Sequence, residues 1–109
     1  MSLINTTLSI SSSGKVTTTP DSVTVTQNDT TLEYTLDRAS EAEWQLTGAS
    51  TTASSGQTSR PVVSPDGNSV NIVDANTVAE TFSVIIYFAE RTSGAKHWHD
   101  PTVTNEPPA

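Results

Sequence analysis

Apolar and polar residues alternate along most of the chain, and a period of two predicts β-strands with one buried face. The pattern is most regular at residues 32–37, where Leu32, Tyr34 and Leu36 alternate with polar residues. It recurs in the following segments: 7–11, 22–26, 44–47, 70–73, 82–88 and 96–104. We therefore predict about seven strands. The turn-forming residues 27–30 indicate that segment 22–37 is a hairpin.

Strand spacing and punctuation indicate the fold class. The segments are short and are separated by turn-forming Gly, Asn, Asp and Pro, which is typical of an all-β sandwich. We predict an immunoglobulin-like Greek-key β-sandwich, with a small closed barrel as the alternative. At 109 residues, the chain fits a single domain over 1–109. Segment 82–88 is apolar on both faces and is predicted to be a central strand.

Two segments depart from the alternating pattern. Residues 38–43 (Arg-Ala-Ser-Glu-Ala-Glu) have helix-forming composition and predict one short helical turn, capped by Asp37 or Ser40. Residues 48–60 are almost entirely small or polar and predict a long surface loop.

Composition and charge exclude several classes of function. The chain has no cysteine, which excludes disulfides, thiolate metal sites and cysteine nucleophiles. The net charge is −7, and the five basic residues form no run, which argues against nucleic acid and against an anionic membrane as partners. The longest apolar run, 84–89, is too short to span a bilayer. The first residues do not have the pattern of a signal peptide, so we expect a cytoplasmic protein.

The run His97-Trp98-His99-Asp100 carries the most suggestive chemistry. On a strand, His97 and His99 project from one face, so two imidazoles could share a divalent metal ion. Asp100 points away from them unless a bulge precedes Pro101. The alternative interpretation places Trp98 in the core and both histidines in solvent.

Carboxylates in turns and before prolines are further candidates. Asp66 and Asp74, with Asn68 or Asn76, lie in turns where calcium sites arise, but their spacing matches no calcium loop and favours ordinary turn residues. Asp100-Pro101 and Glu106-Pro107-Pro108 suit a sheet edge or bulge. A catalytic pair of Asp100 and Glu106 would need a kink between them, because an extended chain separates them by about 20 Å. Structurally, Glu106 could instead pair with Arg91.

The same C-terminal run resembles the end of the DP-EP family of small bacterial proteins. Asp100-Pro101 and Glu106-Pro107 match the two dipeptide motifs for which that family is named, in the right order. The resemblance implies a bacterial origin. It implies no activity and supplies no catalytic or ligand residues.

The sequence lacks the Gly-x-Ser-x-Gly elbow, the phosphate-binding glycine loop and the dinucleotide fingerprint. Our leading hypothesis is therefore a non-enzymatic module that binds a protein, a second copy of itself or a small ligand through strand edges and loops. The alternative is a metal-binding protein centred on His97 and His99. A hydrolase that uses serine or carboxylates is the third option, and it would need a concave pocket that holds titratable residues with perturbed pKa values.

Overall fold

The computed structural model describes residues 2–109, which form two sheets packed as a sandwich. There are ten strands and one short helix in this range. Their bounds are β1 (Leu3–Ile10), β2 (Val16–Thr19), β3 (Ser22–Val25), β4 (Thr30–Leu36), α1 (Arg38–Glu41), β5 (Trp44–Thr51), β6 (Val62–Val63), β7 (Ser69–Asp74), β8 (Glu80–Glu90), β9 (Lys96–His99) and β10 (Thr102–Asn105).

The first sheet has the strand order β2-β1-β4-β7-β6, and the second has the order β3-β10-β8-β5. Strand β9 also belongs to the second sheet, where it pairs with the second half of β8. Most neighbours are antiparallel, but β1 pairs with β4, and β3 with β10, in parallel. The molecule is elongated, with extents of 47 × 22 × 21 Å.

The core lies between the two sheets and is built from the inward residue of each alternating pair. Leu32, Tyr34 and Leu36 of β4 are buried, as the alternation predicted. The second sheet contributes the inward residues of β8, which are Phe82, Val84, Ile86 and Phe88. Trp44 closes the core against Phe88 with an edge-on contact, at 5.5 Å between ring centroids.

The sandwich and the all-β class are confirmed, but the number of strands was wrong. Strands β2 and β6 are too short to show a clear alternation, and the predicted last strand is divided into β9 and β10 at Asp100-Pro101. The immunoglobulin-like connectivity stays a prediction.

The predicted hairpin over 22–37 was also wrong. Its two strands lie in different sheets, β3 beside β10 and β4 between β1 and β7. Both bury their apolar residues in the same core from opposite sides. Alternation therefore identifies each strand but cannot say which partner it has.

The two irregular segments had different outcomes. The helical turn is confirmed as α1, where the Asp37 carboxylate accepts a bond from the Ser40 N–H at 2.9 Å. The predicted loop 48–60 was wrong in part, because β5 continues to Thr51. Gln57, within that loop, is buried, and its side chain bonds to the Thr77 backbone N–H at 3.0 Å and to the Thr77 hydroxyl at 2.7 Å. In residues 2–109, no helix has the length and apolarity to cross a membrane.

Candidate functional site

The C-terminal segment 96–105 runs beside β8 in one unbroken register. His99 is opposite Ile86, and Thr102 is opposite Ser83, so no residue is inserted between β9 and β10. The Pro101 carbonyl accepts a bond from the Val84 N–H at 2.9 Å, but proline has no N–H to return to the Val84 carbonyl. The Asp-Pro motif therefore removes one bond from the ladder without a bulge.

This register decides which side chains of the segment face the core. Val103 and Asn105 are buried, and residues two apart share a face, so His97 and His99 point inward and are half-buried. The His97 ring stacks on Phe88, with 5.4 Å between centroids and 16° between planes, and meets the edge of Trp44. Trp98 points outward and is 64% exposed. The interpretation that placed Trp98 in the core and the histidines in solvent was wrong.

The two histidines share a face, as the metal hypothesis requires, but the remaining conditions for a metal site are not met. His97 is enclosed by Phe88, Trp44 and the loop that contains Gly14, where an added Cβ would lie 3.1 Å from the imidazole Cε1. Within the described range 2–109, no group of three or more His, Cys, Asp or Glu residues is placed to hold a metal ion. Nothing in this geometry supports the metal hypothesis.

On the outer side of the second sheet, four residues form what we call the aromatic face: Ile85, Tyr87, Trp98 and Asp100. Trp98 and Tyr87 are directly opposite each other in the β8–β9 ladder, and Tyr87 is 40% exposed. The Tyr87 hydroxyl lies 3.1 Å from the Ser50 hydroxyl of β5, which restrains the phenol ring. The four residues line a shallow cavity of about 320 Å³.

The segment has a free edge next to this face. β3 covers β10 only from Ser22 onward, because upstream of Pro20-Asp21 the chain belongs to β2 of the other sheet. The bonds Val84 to Pro101 and Glu90 to Ala95 fix the alternation of the β8 ladder. The backbone N–H and C=O groups of Lys96, Trp98 and Asp100 therefore point away from β8.

We call residues 96–100 the open edge. β8 is the one strand paired with β9 in the part of the chain that the structure describes. A cavity of about 340 Å³ lies between the end of this edge and β2. The lining residues are Val16, Thr17, Thr18, Asp21, His99, Asp100, Pro101 and Thr102.

The Glu-Pro motif has very different surroundings. The Glu106 N–H donates to the Val25 carbonyl at 2.8 Å, and the Glu106 carbonyl accepts a bond from Asn76 Nδ2 at 3.3 Å. Asn76 Nδ2 also donates to the Val25 and Gln27 carbonyls, at 3.1 and 3.2 Å. Asn76 thus ties the end of β3 to the end of the chain.

Asn76 belongs to what we call the buried polar cluster: Asp74, Asn76 and Asn105. Asp74 Oδ1 accepts bonds from the Asn76 N–H at 3.0 Å and from Asn105 Nδ2 at 3.1 Å. Asp74 and Asn76 have no exposed surface, and Asn105 is 2% exposed. Burial raises the pKa of Asp74, against the lowering effect of its bonds to Asn105 and Asn76.

The structure separates the other carboxylate candidates. Asp66 is an ordinary turn residue, as predicted: its carboxylate accepts bonds from the Ser64 hydroxyl at 2.6 Å and the Asn68 N–H at 3.0 Å, which lower its pKa. The expected Glu106–Arg91 pair was wrong, because Arg91 donates to the Glu41 and Asp66 carbonyls and to the Asn68 side chain. The segment between Asp100 and Glu106 is extended, without the kink that a catalytic pair would need.

Sequence reasoning missed the roles of Trp98, Tyr87, Asn76 and Asn105. A signal for Trp98 was present, since assigning Val103 to the core places every even-numbered residue of the segment outside. Asn76 has a positive φ of 53°, which asparagine tolerates better than most residues, but the sequence does not reveal which carbonyls its side chain reaches.

Comparison with known proteins adds one finding. The model of the DP-EP family matches residues 4–107, which is nearly the whole chain. No curated protein matches the sequence.

Proposed function

The chain belongs to the DP-EP family, and from the surroundings of its two motifs we propose that it is a non-enzymatic binding module whose binding site is the aromatic face. The observation that carries the proposal is the exposure of Trp98, at 64% of its surface, directly opposite Tyr87. Tryptophan and tyrosine dominate the binding energy of many protein interfaces, because they bury a large area with little loss of conformational freedom.

The rest of the outer sheet surface makes this face distinct. Polar residues flank it on the same side, and they are Lys96 and the hydroxyl residues Thr24, Thr81, Ser83, Thr102 and Thr104. An apolar island with a polar rim is the usual composition of a binding surface on a small protein. Both aromatic residues lie on regular strands, so the face is held in place before a partner arrives.

The positions of the perturbed groups favour binding over catalysis. Burial raises the pKa values of Tyr34 and Asp74, and hydrogen bonds lower those of Asp37 and Asp66. None of these four residues lines the cavity at the aromatic face or the cavity at the open edge. The residues whose pKa values are shifted thus lie away from these two cavities, which supports a binding role over a catalytic one.

A direct test screens the purified protein against arrays of peptides and of glycans. Binders recovered with the unmodified protein are then measured against Trp98→Ala and against Val62→Ala, a matched loss of an exposed apolar side chain elsewhere, since Val62 is also 64% exposed. We expect Trp98→Ala to weaken binding about tenfold or more and Val62→Ala to leave it unchanged. Binders that ignore Trp98, or an absence of binders from both arrays, would overturn the proposal.

Three finer expectations accompany this proposal. They are the immunoglobulin-like connectivity of the sandwich, a bacterial origin and a cytoplasmic location, and each stays a prediction. The expectation that nucleic acid and membranes are not partners also stays a prediction, and the net charge of −7 supports it.

A further inference from the structure

We propose that the partner is an extended peptide segment with alternating basic and small apolar side chains, which adds as a strand to the open edge. This inference rests on the proposed function, because it places the partner beside Trp98. The partner must have a peptide backbone that is free to pair with the open edge. Binding of a saccharide at this site, or of a second copy of this chain, would overturn the inference.

The backbone supplies the first part of the argument. Lys96, Trp98 and Asp100 direct their N–H and C=O groups away from β8, toward the space that β3 leaves when it ends at Ser22. An added strand would extend the second sheet in line with β3 and would pair with these groups. Such strand addition gives affinity through main-chain hydrogen bonds and leaves selectivity to the alternate side chains.

The outer side chains specify charge. A residue of the added strand that faces outward would have its Cβ about 5 Å from that of Trp98 or Asp100. A lysine or arginine there meets the indole ring and the Asp100 carboxylate together. Lys96 is also on the outer side, at the start of the edge, so the complementary positions are those beside Trp98 and Asp100.

The charge of the whole chain separates a basic segment from a second copy. Each copy has a net charge of −7, and two copies would approach against that repulsion. A basic segment gains from the same field.

The inner side chains specify size and polarity. An inward residue of the added strand would enter the cavity of about 340 Å³ between β2 and the end of the open edge. Val16 and Pro101 contribute its apolar surface, beside polar residues that include Thr18 and His99. A compact β-branched side chain such as valine or threonine can contact Val16 and Pro101 there, and an alternating segment places it inward while its basic residues face outward.

The probe is a dye-labelled peptide of seven residues with blocked ends, in which arginine and valine alternate. Its binding to the protein is measured by fluorescence anisotropy. Two controls test charge and pairing. In one, glutamate replaces arginine. In the other, alternate amides are N-methylated in each of the two possible phases, because only one phase faces β9. We expect the basic peptide to bind, the acidic one not to bind, and one N-methylated phase to lose binding while the other keeps it.

Protein variants locate the site. We expect Trp98→Ala to weaken binding of the basic peptide about tenfold, Asp100→Asn to weaken it about threefold, and Val62→Ala to leave it unchanged. Equal binding of both charges, equal effects of both N-methylated phases, or no peptide binding overturns this inference. If array binders still depend on Trp98 in those cases, the proposed function survives; if they do not, both fail.

Discussion

Asp100 and Glu106 each precede a proline on the same extended segment, yet their backbone groups differ in hydrogen bonding. At Glu106 both the N–H and the C=O are bonded, to Val25 and to Asn76, and the neighbouring cluster is fully buried. At Asp100 the backbone points into open space, and the proline beside it leaves the Val84 carbonyl without its usual ladder partner.

One dipeptide chemistry therefore serves two purposes in this fold. Proline cannot extend a ladder, so an acid–proline pair marks a place where pairing stops. At the Glu-Pro motif, side chains from the turn after β7 compensate for the lost pairing and fasten the end of the chain. At the Asp-Pro motif nothing among residues 2–109 compensates, and the edge stays available.

The largest effect on stability is expected at the Glu-Pro motif, which Asn76 ties to the end of β3. Asn76→Ala removes the donors to three carbonyls, of Val25, Gln27 and Glu106, and places a residue that prefers negative φ at 53°. We expect the free energy of unfolding to fall by about 3 kcal/mol, measured by urea denaturation.

Asn76→Gly separates the two causes, because glycine accepts the positive φ without strain. It should recover about 1 kcal/mol of the loss. As the matched change at the open end, Asp100→Ala should alter stability by less than about 0.5 kcal/mol. Similar losses for Asn76→Ala and Asp100→Ala would contradict the comparison.

The second prediction concerns the pH dependence of the buried polar cluster. The pKa of Asp74 in the folded protein is raised above its ordinary value of 3.8. Its contribution to stability is therefore fully present below pH 3.8 and is lost as pH rises through the folded-state pKa. Asp74→Asn removes this loss while keeping an oxygen for Asn76 and Asn105.

The measurement is the difference in unfolding free energy between Asp74→Asn and the unmodified protein, from pH 3 to pH 7 (about four pH units, covering the ordinary titration range). We expect the difference to move in favour of the variant as pH rises and then to level off. Taking the difference cancels the contributions of Asp37 and Asp66 to the pH dependence of stability, because both proteins contain them. Their lowered pKa values act in the opposite direction to that of Asp74. A difference that is flat, or that moves against the variant, would sink this account of Asp74.

The open edge and the buried polar cluster also differ in how far the sequence predicted them. Alternation identified most strands and the core residues of β4 and β8, because burial on one face imposes a period of two. It could not pair the strands: β3 and β4 alternate equally well as a hairpin and as members of opposite sheets.

The directions of the side chains along the open edge could have been predicted from the sequence. The single register of 96–105 puts Trp98 outside once Val103 is inside, but the sequence left open a bulge before Pro101, which would have reversed this direction. The buried polar cluster was not predictable, since its bonds join Asn76 to carbonyls 30 to 51 residues away along the chain. Only the folded topology brings those groups together.

A smaller effect is expected from restoring the missing bond of the ladder. Pro101→Ala provides an N–H directly opposite the Val84 carbonyl, which would join β9 and β10 into one strand. The gained hydrogen bond and the lost restraint on the unfolded chain are each about 1 kcal/mol or less, so stability should change by less than about 1 kcal/mol. Hydrogen exchange measures the result directly: the new amide at position 101 should be protected. Exchange at the rate of an unstructured amide would show that the ladder is broken by more than the proline.

The smallest effect on stability is expected from Trp98→Ala. This variant also tests directly whether the aromatic face is free for a partner. Trp98 is 64% exposed, whereas Trp44 is 2% exposed, so the two tryptophans report on opposite environments. Removing Trp98 should lower the unfolding free energy by about 0.5 kcal/mol, because the cross-strand pair with Tyr87 is lost while most of the indole surface is already in solvent. Acrylamide should quench the unmodified protein in two components, and the variant should lose the accessible one. A loss of several kcal/mol would mean that Trp98 packs against the fold and is not free for a partner.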